Sequence, residues 1–119
     1  MTDADTARTF FDGYTRALLD RDAAAIAGHY AVPALILFPG QSIVVTQAAQ
    51  TEDFFAGSFA QYDGVSRAHA ELAVLAGTEH SLWVDVTWFH DGAAAERFVY
   101  QLVRNAENWA IAVLTPRPL

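Results

Sequence analysis

Residues 81–89 read SLWVDVTWF, and every second position of this stretch, beginning at Leu82, carries an apolar side chain. Alternation with a period of two is typical of a β-strand that buries one face. Asp91-Gly92 follows, a dipeptide that favours a tight hairpin turn, and then a second alternating stretch, RFVYQLV at residues 97–103. After a polar break, WAIAVL at residues 109–114 supplies another strand. The sequence therefore predicts an antiparallel meander in the second half of the chain.

The first half of the chain supplies helices that can cover one face of this sheet. Apolar residues recur at helical spacing in residues 3–20, and Asp22 is a suitable N-cap for a short alanine-rich helix. A third helix is predicted over residues 46–62, before the stop signal Asp63-Gly64. Further strands are predicted at residues 34–38, 42–45 and 67–76. The expectation is an α+β fold, with three helices packed on a curved, mainly antiparallel sheet.

The extent of the folded unit follows from the length of the chain. With 119 residues the chain has the size of one domain, and we expect a single domain over residues 1–119. The last stretch, TPRPL at residues 115–119, contains two prolines. Because proline cannot donate to a strand ladder, this stretch is predicted to be a loose tail.

The charge of the chain excludes one class of partner. The formal net charge is -7, there is no lysine, and the arginines are scattered along the sequence. Binding to nucleic acid or to an anionic membrane surface needs clustered cations, so we expect neither partner. The first five residues, MTDAD, are acidic, whereas a secretory signal begins with basic residues. The expected location is therefore the cytoplasm.

Metal and thiol chemistry find little support in the sequence. The chain contains no cysteine, which excludes disulfides, thiolate metal sites and cysteine nucleophiles. None of the histidines has the close spacing of a chelating pair; they are His29, His69, His80 and His90. We therefore predict that the protein carries neither a transition metal nor a cofactor, and elemental analysis of protein purified without a histidine tag tests this.

The sequence resembles members of the NTF2-like superfamily, the group that includes SnoaL-like proteins and ketosteroid isomerase. The resemblance rests on Tyr14 in the first helix, on LDRDAAAIAGHY at residues 19–30, on the strand that ends FPG at residues 38–40, and on the Asp91-Gly92 hairpin. It covers nearly the whole chain. It implies a cone-shaped, cystatin-like fold with a pocket between the concave face of the sheet and the helices, and a homodimer formed through the convex face.

The catalytic positions of ketosteroid isomerase carry over only in part. That enzyme has an oxyanion-donating tyrosine in its first helix, where this chain has Tyr14. Its carboxylate base stands immediately before a proline after the first strand, where this chain has Phe38, which cannot take a proton. Its second donor is an aspartic acid on a late strand, where this chain offers Tyr100 or Gln101. The resemblance implies the fold and not the isomerase chemistry.

Six residues are candidates for lining a ligand-binding pocket. They are Tyr14 and Tyr100 as polar contacts and, as an apolar wall, Phe38, Phe55, Val86 and Trp88. We predict that the buried Tyr14 hydroxyl bonds to a water or a ligand atom, so that Tyr14→Phe leaves stability nearly unchanged. Tyr30 and Tyr62 are interpreted as core residues whose hydroxyls reach the backbone or water.

Three residues are candidates for acid–base chemistry. Tyr14 would act as the acid, and Asp85 or His29 would act as the base. Asp85 lies in mid-strand between two valines, where a carboxylate is uncommon. It could be a base with a raised pKa or an ion-pair partner of Arg97 on the convex face of the sheet, and the ion pair is the favoured interpretation.

Three functions stay open at this point. The first is binding of a small hydrophobic molecule in a pocket between helices and sheet, and the second is a small acid–base enzyme, an isomerase, dehydratase or cyclase. The third is a non-catalytic dimeric assembly module whose pocket is filled by its own side chains. For the dimer we expect two-fold contact through an apolar patch on the convex face, made of Trp83, Thr87, Phe89 and Val99.

Overall fold

The computed structural model describes residues 2–119 as a curved six-stranded sheet with helices packed on one face. Helices α1, α2 and α3 span Asp3–Leu19, Ala23–Ala27 and Ala48–Ala56, and a 3₁₀ turn spans Phe59–Tyr62. The strands are β1 (Tyr30–Phe38), β2 (Gln41–Val45), β3 (Ala68–Gly77), β4 (Ser81–His90), β5 (Ala93–Asn105) and β6 (Asn108–Arg117). The predicted α+β layout, with helices on a curved sheet, is confirmed.

The sheet has the strand order β2-β1-β6-β5-β4-β3. Strands β3 to β6 form the predicted antiparallel meander, and β1 joins its edge by pairing parallel with β6. Asp91 and Gly92 both have positive φ, 51° and 89°, as a two-residue hairpin turn of matching twist requires. The sheet is therefore mixed but mainly antiparallel.

Helix α1 begins at a capping box, in which the Thr2 side chain accepts from the Asp5 amide and the Asp5 carboxylate accepts from the Thr2 amide. Its buried stripe contains Phe11 and Tyr14, which the helical period turns toward the sheet. Asp22 caps α2 by accepting from the Ala25 amide, as predicted. None of the helices described in residues 2–119 is long and apolar enough to cross a membrane.

The hydrophobic core lies between α1 and the inner face of the sheet, which is the face toward the helices. Even-numbered residues of β4 and β5 point to this face and are buried; they are Leu82, Val84, Val86, Trp88, Phe98, Tyr100 and Leu102. The odd-numbered residues point to the outer, convex face. The alternation in the sequence therefore assigned the faces of both strands correctly.

Two predicted boundaries are wrong. Residues 115–117 continue β6, where Pro116 is opposite Phe98, so they are not a loose tail. Beyond Leu114 the registered partner of β6 is β5 alone, and a proline is tolerated in a strand that is paired on one side. The helix predicted over residues 46–62 is shorter, because α3 ends at Ala56 and a separate 3₁₀ turn follows. The 3₁₀ turn packs Phe59 against the hydrophobic core.

Candidate functional site

A narrow cavity lies between α1, the 3₁₀ turn and the inner face of the sheet. It offers about 40 Å³ to the centres of water-sized molecules, which is room for a few waters or a slender apolar group. Its wall is mostly aromatic and aliphatic. Six titratable side chains also reach it, and they are Tyr14, Arg21, Tyr62, His90, Glu96 and Tyr100.

Three residues of the cavity wall, Tyr14, Trp88 and Tyr100, take part in two buried hydrogen bonds. The Tyr14 and Tyr30 hydroxyls lie 2.7 Å apart, and the Trp88 indole nitrogen donates to the Tyr100 hydroxyl at 2.9 Å. The prediction that Tyr14 bonds to a water or a ligand is therefore wrong, because Tyr30 meets it. Tyr30 was interpreted as a core residue with a backbone or water partner, and the pairing of two phenols was missed.

These hydroxyls are neutral donors. Burial is the main cause that raises the pKa values of Tyr14 and Tyr100 well above the ordinary range of a phenol. In the Tyr14–Tyr30 pair only one of the two hydroxyl hydrogens is used, and Tyr100 uses none because it accepts from Trp88. Among the hydrogen bonds of the described residues, the Tyr100 O–H group and one O–H group of the Tyr14–Tyr30 pair therefore have no acceptor.

The side chain of Glu96, near the start of β5, places a carboxyl group in the wall of the same cavity. It is opposite Trp88 on β4, and the register slips between this pair and the next, Phe89 with Ala94, so that β5 has one extra residue there. Burial raises the pKa of Glu96, while His90 and a hydrogen bond from Tyr62 act in the opposite direction. Glu96 is a half-buried acid whose ionised form is disfavoured by its surroundings.

The 3₁₀ turn closes the cavity over this carboxyl group. Burial first, and then Glu96, raises the pKa of the Tyr62 hydroxyl, and the Tyr62 and His90 rings lie edge to face with centroids 5.5 Å apart. The Arg21 guanidinium holds the end of the turn by donating to the carbonyls of Tyr62 at 2.6 Å and Val65 at 3.3 Å. Arg21 therefore stabilises the position of the 3₁₀ turn over the cavity by hydrogen bonds to the main chain.

A second, more open space adjoins the mouth of the cavity on the outside. This groove, of about 320 Å³, lies between the β1–β2 turn and the segment that joins α3 to the 3₁₀ turn. Four residues line both spaces, and they are Phe38, Phe55, Tyr62 and Glu96. The groove and the cavity are therefore separated by a shared wall of these four residues, and Glu96 is part of that wall.

Five of the six predicted pocket residues line the cavity. They are Tyr14, Phe38, Phe55, Trp88 and Tyr100. The sixth, Val86, is fully buried on the inner face but is not part of the cavity wall. It lies opposite Phe98, whose larger side chain reaches the cavity in its place. Whether these residues bind a ligand stays a prediction.

Asp85 points to the outer face, away from the cavity. Its carboxylate accepts from the Arg97 guanidinium at 2.9 and 2.6 Å and from Arg117 at 2.8 Å. Hydrogen bonding from Arg97 is the main cause that lowers its pKa. The favoured interpretation of Asp85 as an ion-pair partner of Arg97 is confirmed. The alternative, a base in the pocket, is wrong because the carboxylate lies on the other face of the sheet.

His29 also lies outside the cavity. It follows α2, its Nδ1 donates to the Ala25 carbonyl at 2.8 Å, and its ring packs edge-on against Phe10 with centroids 5.4 Å apart. Its ring centroid also lies 5.6 Å from that of Tyr14, and it lines a surface groove. Within the described part of the chain, no three side chains of histidine, aspartate or glutamate converge as metal ligands would.

The sequence reasoning missed Glu96, although the pattern contained the signal. Glu96 has the same parity as Phe98 and Tyr100, so extending the alternation of β5 backwards points its side chain to the core. The strand was predicted to begin at Arg97, four residues after its observed start at Ala93, and so left Glu96 out. His90 follows from the same rule, because it continues the series of Val86 and Trp88 on β4.

Comparisons with known proteins identify the fold. A family model described as NTF2-like protein (DUF6841) matches residues 3–119. No curated protein sequence matches the chain. A solved NTF-2 like protein of unknown function from Shewanella oneidensis MR-1 is 11% identical, with a TM-score of 0.76 over 95% of this chain and 97% of that chain.

Two further solved structures share the architecture. A domain of unknown function with a cystatin-like fold from Nostoc punctiforme is 18% identical, with a TM-score of 0.71 over 100% of this chain and 81% of that chain. The yeast UBP3-associated protein BRE5 is also 18% identical, with a TM-score of 0.69 over 98% of this chain and 96% of that chain. At such identities these likenesses show the fold alone.

Proposed function

The chain belongs to the NTF2-like family DUF6841, as the resemblance in its sequence indicated, and from this premise we propose that it binds a small, largely hydrophobic molecule in the cavity between helices and sheet. One observation carries the proposal. A largely apolar space in the core has in its wall the half-buried carboxyl group of Glu96, for which the described residues supply no ion-pair partner. Buried polar groups are usually satisfied, so a ligand that brings a polar group to Glu96 and an apolar group to the cavity would be stabilised there.

The size of the cavity limits how a ligand can sit. About 40 Å³ suits only a slender group, whereas drug-sized ligands occupy pockets of roughly 300–1,000 Å³. The adjoining groove of about 320 Å³ supplies the remaining space on the other side of the wall that contains Tyr62 and Glu96. A ligand would therefore lie in the groove and insert one apolar end into the cavity, and the 3₁₀ turn would shift outward as it binds.

Two tryptophans give the test an internal control. Trp88 lies in the cavity wall, and Trp83 is on the outer face of the same strand. In an NMR screen of small apolar compounds that each carry one polar group, a binder should move the indole N–H signal of Trp88 and leave that of Trp83 in place. Binders that move Trp83 alone, or none that move Trp88, would contradict the proposal.

A cavity-filling variant adds a second control. Ala68 lines the cavity and is half-buried at the start of β3, so Ala68→Leu puts three extra carbons into the space. This variant should fold and yet lose binding, because the apolar end of the ligand no longer fits. Unchanged affinity in a folded Ala68→Leu protein would place the ligand elsewhere.

A second candidate function is acid–base catalysis, and the raised pKa of Glu96 favours it. A carboxyl group whose pKa is raised beside a cavity takes up a proton more readily than an ordinary glutamate, as a general base must. In this scheme Glu96 takes a proton next to a substrate carbonyl, and the free Tyr100 O–H donates to the enolate oxygen. Asp85 and His29, the bases considered from the sequence, lie outside the cavity. Deuterium exchange into a bound ketone, lost in Glu96→Gln with binding retained, is the expected signature.

The homodimer expected from the sequence is also a proposal. The outer-face residues Trp83, Thr87, Phe89 and Val99 are half-buried in the single chain. The ion cluster of Asp85, Arg97 and Arg117 lies among them, so this face is mixed and not uniformly apolar. A two-fold contact that buries the aromatic residues against a second copy would use this surface.

A further inference from the structure

We propose that the molecule taken by this site is a lipophilic amine, whose ammonium group lies against the Glu96 carboxylate among aromatic rings and whose apolar end enters the cavity. The inference rests on the proposed function and narrows it to one chemical class. It starts from the wall that the groove and the cavity share, where a carboxyl group and aromatic side chains lie together.

Glu96 has no ion-pair partner at bonding distance among the described residues, and His90 and Tyr62 offset the cost of its burial only in part. In the part of the chain that the structure describes, no arginine or histidine nitrogen lies within salt-bridge distance of Glu96, whereas Asp85 has two arginines. Removing a carboxylate from water without a partner is costly, and a ligand cation placed beside it would recover that cost. A neutral ligand would recover much less, and an anionic ligand would be repelled.

None of the described titratable side chains near Glu96 forms an ion pair with its carboxylate. His90 on β4 and Tyr62 on the 3₁₀ turn are its immediate titratable neighbours, and Tyr14 and Tyr100 lie deeper as neutral phenols. Arg21 reaches the cavity, but main-chain carbonyls engage its guanidinium. A ligand therefore meets one carboxylate whose nearest companions are a histidine and a hydroxyl. The net charge of -7 also attracts cations toward the protein.

Aromatic side chains line the same cavity and groove as the Glu96 carboxyl group, and they supply the second half of an ammonium site. Rings that line the cavity or its mouth are those of Phe38, Phe55, Phe59, Tyr62, Trp88 and Phe98. Ring faces attract cations electrostatically, and the attraction strengthens where water is excluded. Trp88 is directly across the strand pair from Glu96. Carboxylate and rings together favour an amine over an alcohol of the same length.

The test compares three six-carbon probes that differ in charge. Hexylamine, hexan-1-ol and hexanoate are titrated into the wild-type protein at neutral pH, with the Trp88 and Trp83 indole signals as the readout. We expect hexylamine to bind most tightly and hexanoate most weakly, with Trp88 responding. In Glu96→Gln, hexylamine affinity should fall at least about tenfold, which is the loss expected for one partly desolvated charge pair. Hexan-1-ol should bind both proteins alike.

Two matched variants exclude simpler explanations. Glu107→Gln removes the same charge at an exposed turn, and it should leave hexylamine binding unchanged if general attraction to an acidic protein is not the cause. His90→Gln removes the titratable neighbour and should keep the preference for the amine. On lowering the pH, hexylamine binding to the wild type should weaken as Glu96 takes up its proton.

The possible failures are distinguishable. Equal affinity for hexylamine and hexan-1-ol, or an undiminished amine affinity in Glu96→Gln, overturns the inference and leaves the apolar site in place. Tighter binding of hexanoate overturns it as well. If none of the three probes moves Trp88, the inference falls together with the proposed function.

Discussion

Two carboxylates on neighbouring strands of one sheet have opposite surroundings. Asp85, on the outer face, is covered by Arg97 and Arg117, which hold its pKa below the ordinary value. Glu96, on the inner face, has no arginine beside it within residues 2–119, and burial outweighs His90 and Tyr62 and holds its pKa above the ordinary value. The protein itself supplies the cations that pair with Asp85, whereas a cation for Glu96 would have to come from a ligand. Glu96 is therefore the better candidate for a functional carboxylate.

The comparison also shows why a mid-strand carboxylate is a poor marker of function by itself. Asp85 is only 7% exposed, but its cover consists of arginine side chains that remain 31% and 43% exposed at the surface. Burial by partners of opposite charge stabilises an ion. Burial by rings and aliphatic groups destabilises it, and that difference separates the two sites.

Removing the outer carboxylate should have the largest effect on stability. Asp85→Ala leaves Arg97 and Arg117 side by side without their shared acceptor, and we expect it to lower the free energy of unfolding by about 2 kcal/mol. Urea denaturation at neutral pH measures the change. Glu71→Ala, an exposed carboxylate on β3, is the control and should change stability by less than about 0.5 kcal/mol. A loss as small in Asp85→Ala would show that the cluster contributes little.

The outer face is expected to mediate assembly as well. If two copies meet through it, Trp83→Arg places a further cation at the contact and should weaken the dimer about tenfold, or ~1.4 kcal/mol. Sedimentation over a range of micromolar concentrations follows the equilibrium. A wild-type protein that is monomeric throughout this range would exclude the dimer.

The hydrogen bond between Tyr14 and Tyr30 should contribute at least about 1 kcal/mol. Tyr14→Phe leaves the buried Tyr30 hydroxyl without its partner, which costs about 1–3 kcal/mol when no water replaces it. This prediction replaces that of nearly unchanged stability, which assumed that Tyr14 has no protein partner. Thermal melts of Tyr14→Phe, Tyr30→Phe and the double variant give the coupling. Strict additivity would mean that the two hydroxyls do not interact.

Removing the inner carboxylate should have the smallest effect and the opposite sign. Because the pKa of Glu96 is raised in the folded state, its contribution is most favourable below the unfolded pKa and is lost as the pH rises through the folded pKa. Glu96→Gln should therefore stabilise the protein at neutral pH, by at most about 1 kcal/mol since the group is partly solvated. Destabilisation at neutral pH would show that His90 and Tyr62 stabilise the Glu96 carboxylate more than burial disfavours it.

Asp85 should show the reverse dependence on pH. Its pKa is lowered in the folded state, so its contribution is present above the unfolded pKa and is lost as the pH falls through the folded pKa. Denaturation curves of Asp85→Asn and the wild type should therefore converge in acid. The curves of Glu96→Gln and the wild type should also converge in acid, but there the variant is the more stable protein at neutral pH.

The sequence predicted the sheet better than it predicted the site. Alternation in β4 and β5 assigned Trp88 and Tyr100 to the inner face, because a period of two leaves only two choices. It could not show that Tyr30 meets Tyr14, since that contact joins a helix to a strand that follows α2. The β5 bulge near Glu96 and the 3₁₀ turn that closes the cavity depend on tertiary packing, for which local pattern carries no signal.

One measurement tests the contrast between the two carboxylates most directly. Side-chain carboxyl signals of Glu96 and Asp85 are followed by NMR over an acid-to-neutral titration of one sample, first alone and then with hexylamine. The account predicts that Glu96 titrates above the ordinary value for glutamate and that the amine lowers its pKa, while Asp85 titrates below its ordinary value in both cases. A Glu96 that titrates like an exposed glutamate would contradict the account, as would one that does not respond to the amine.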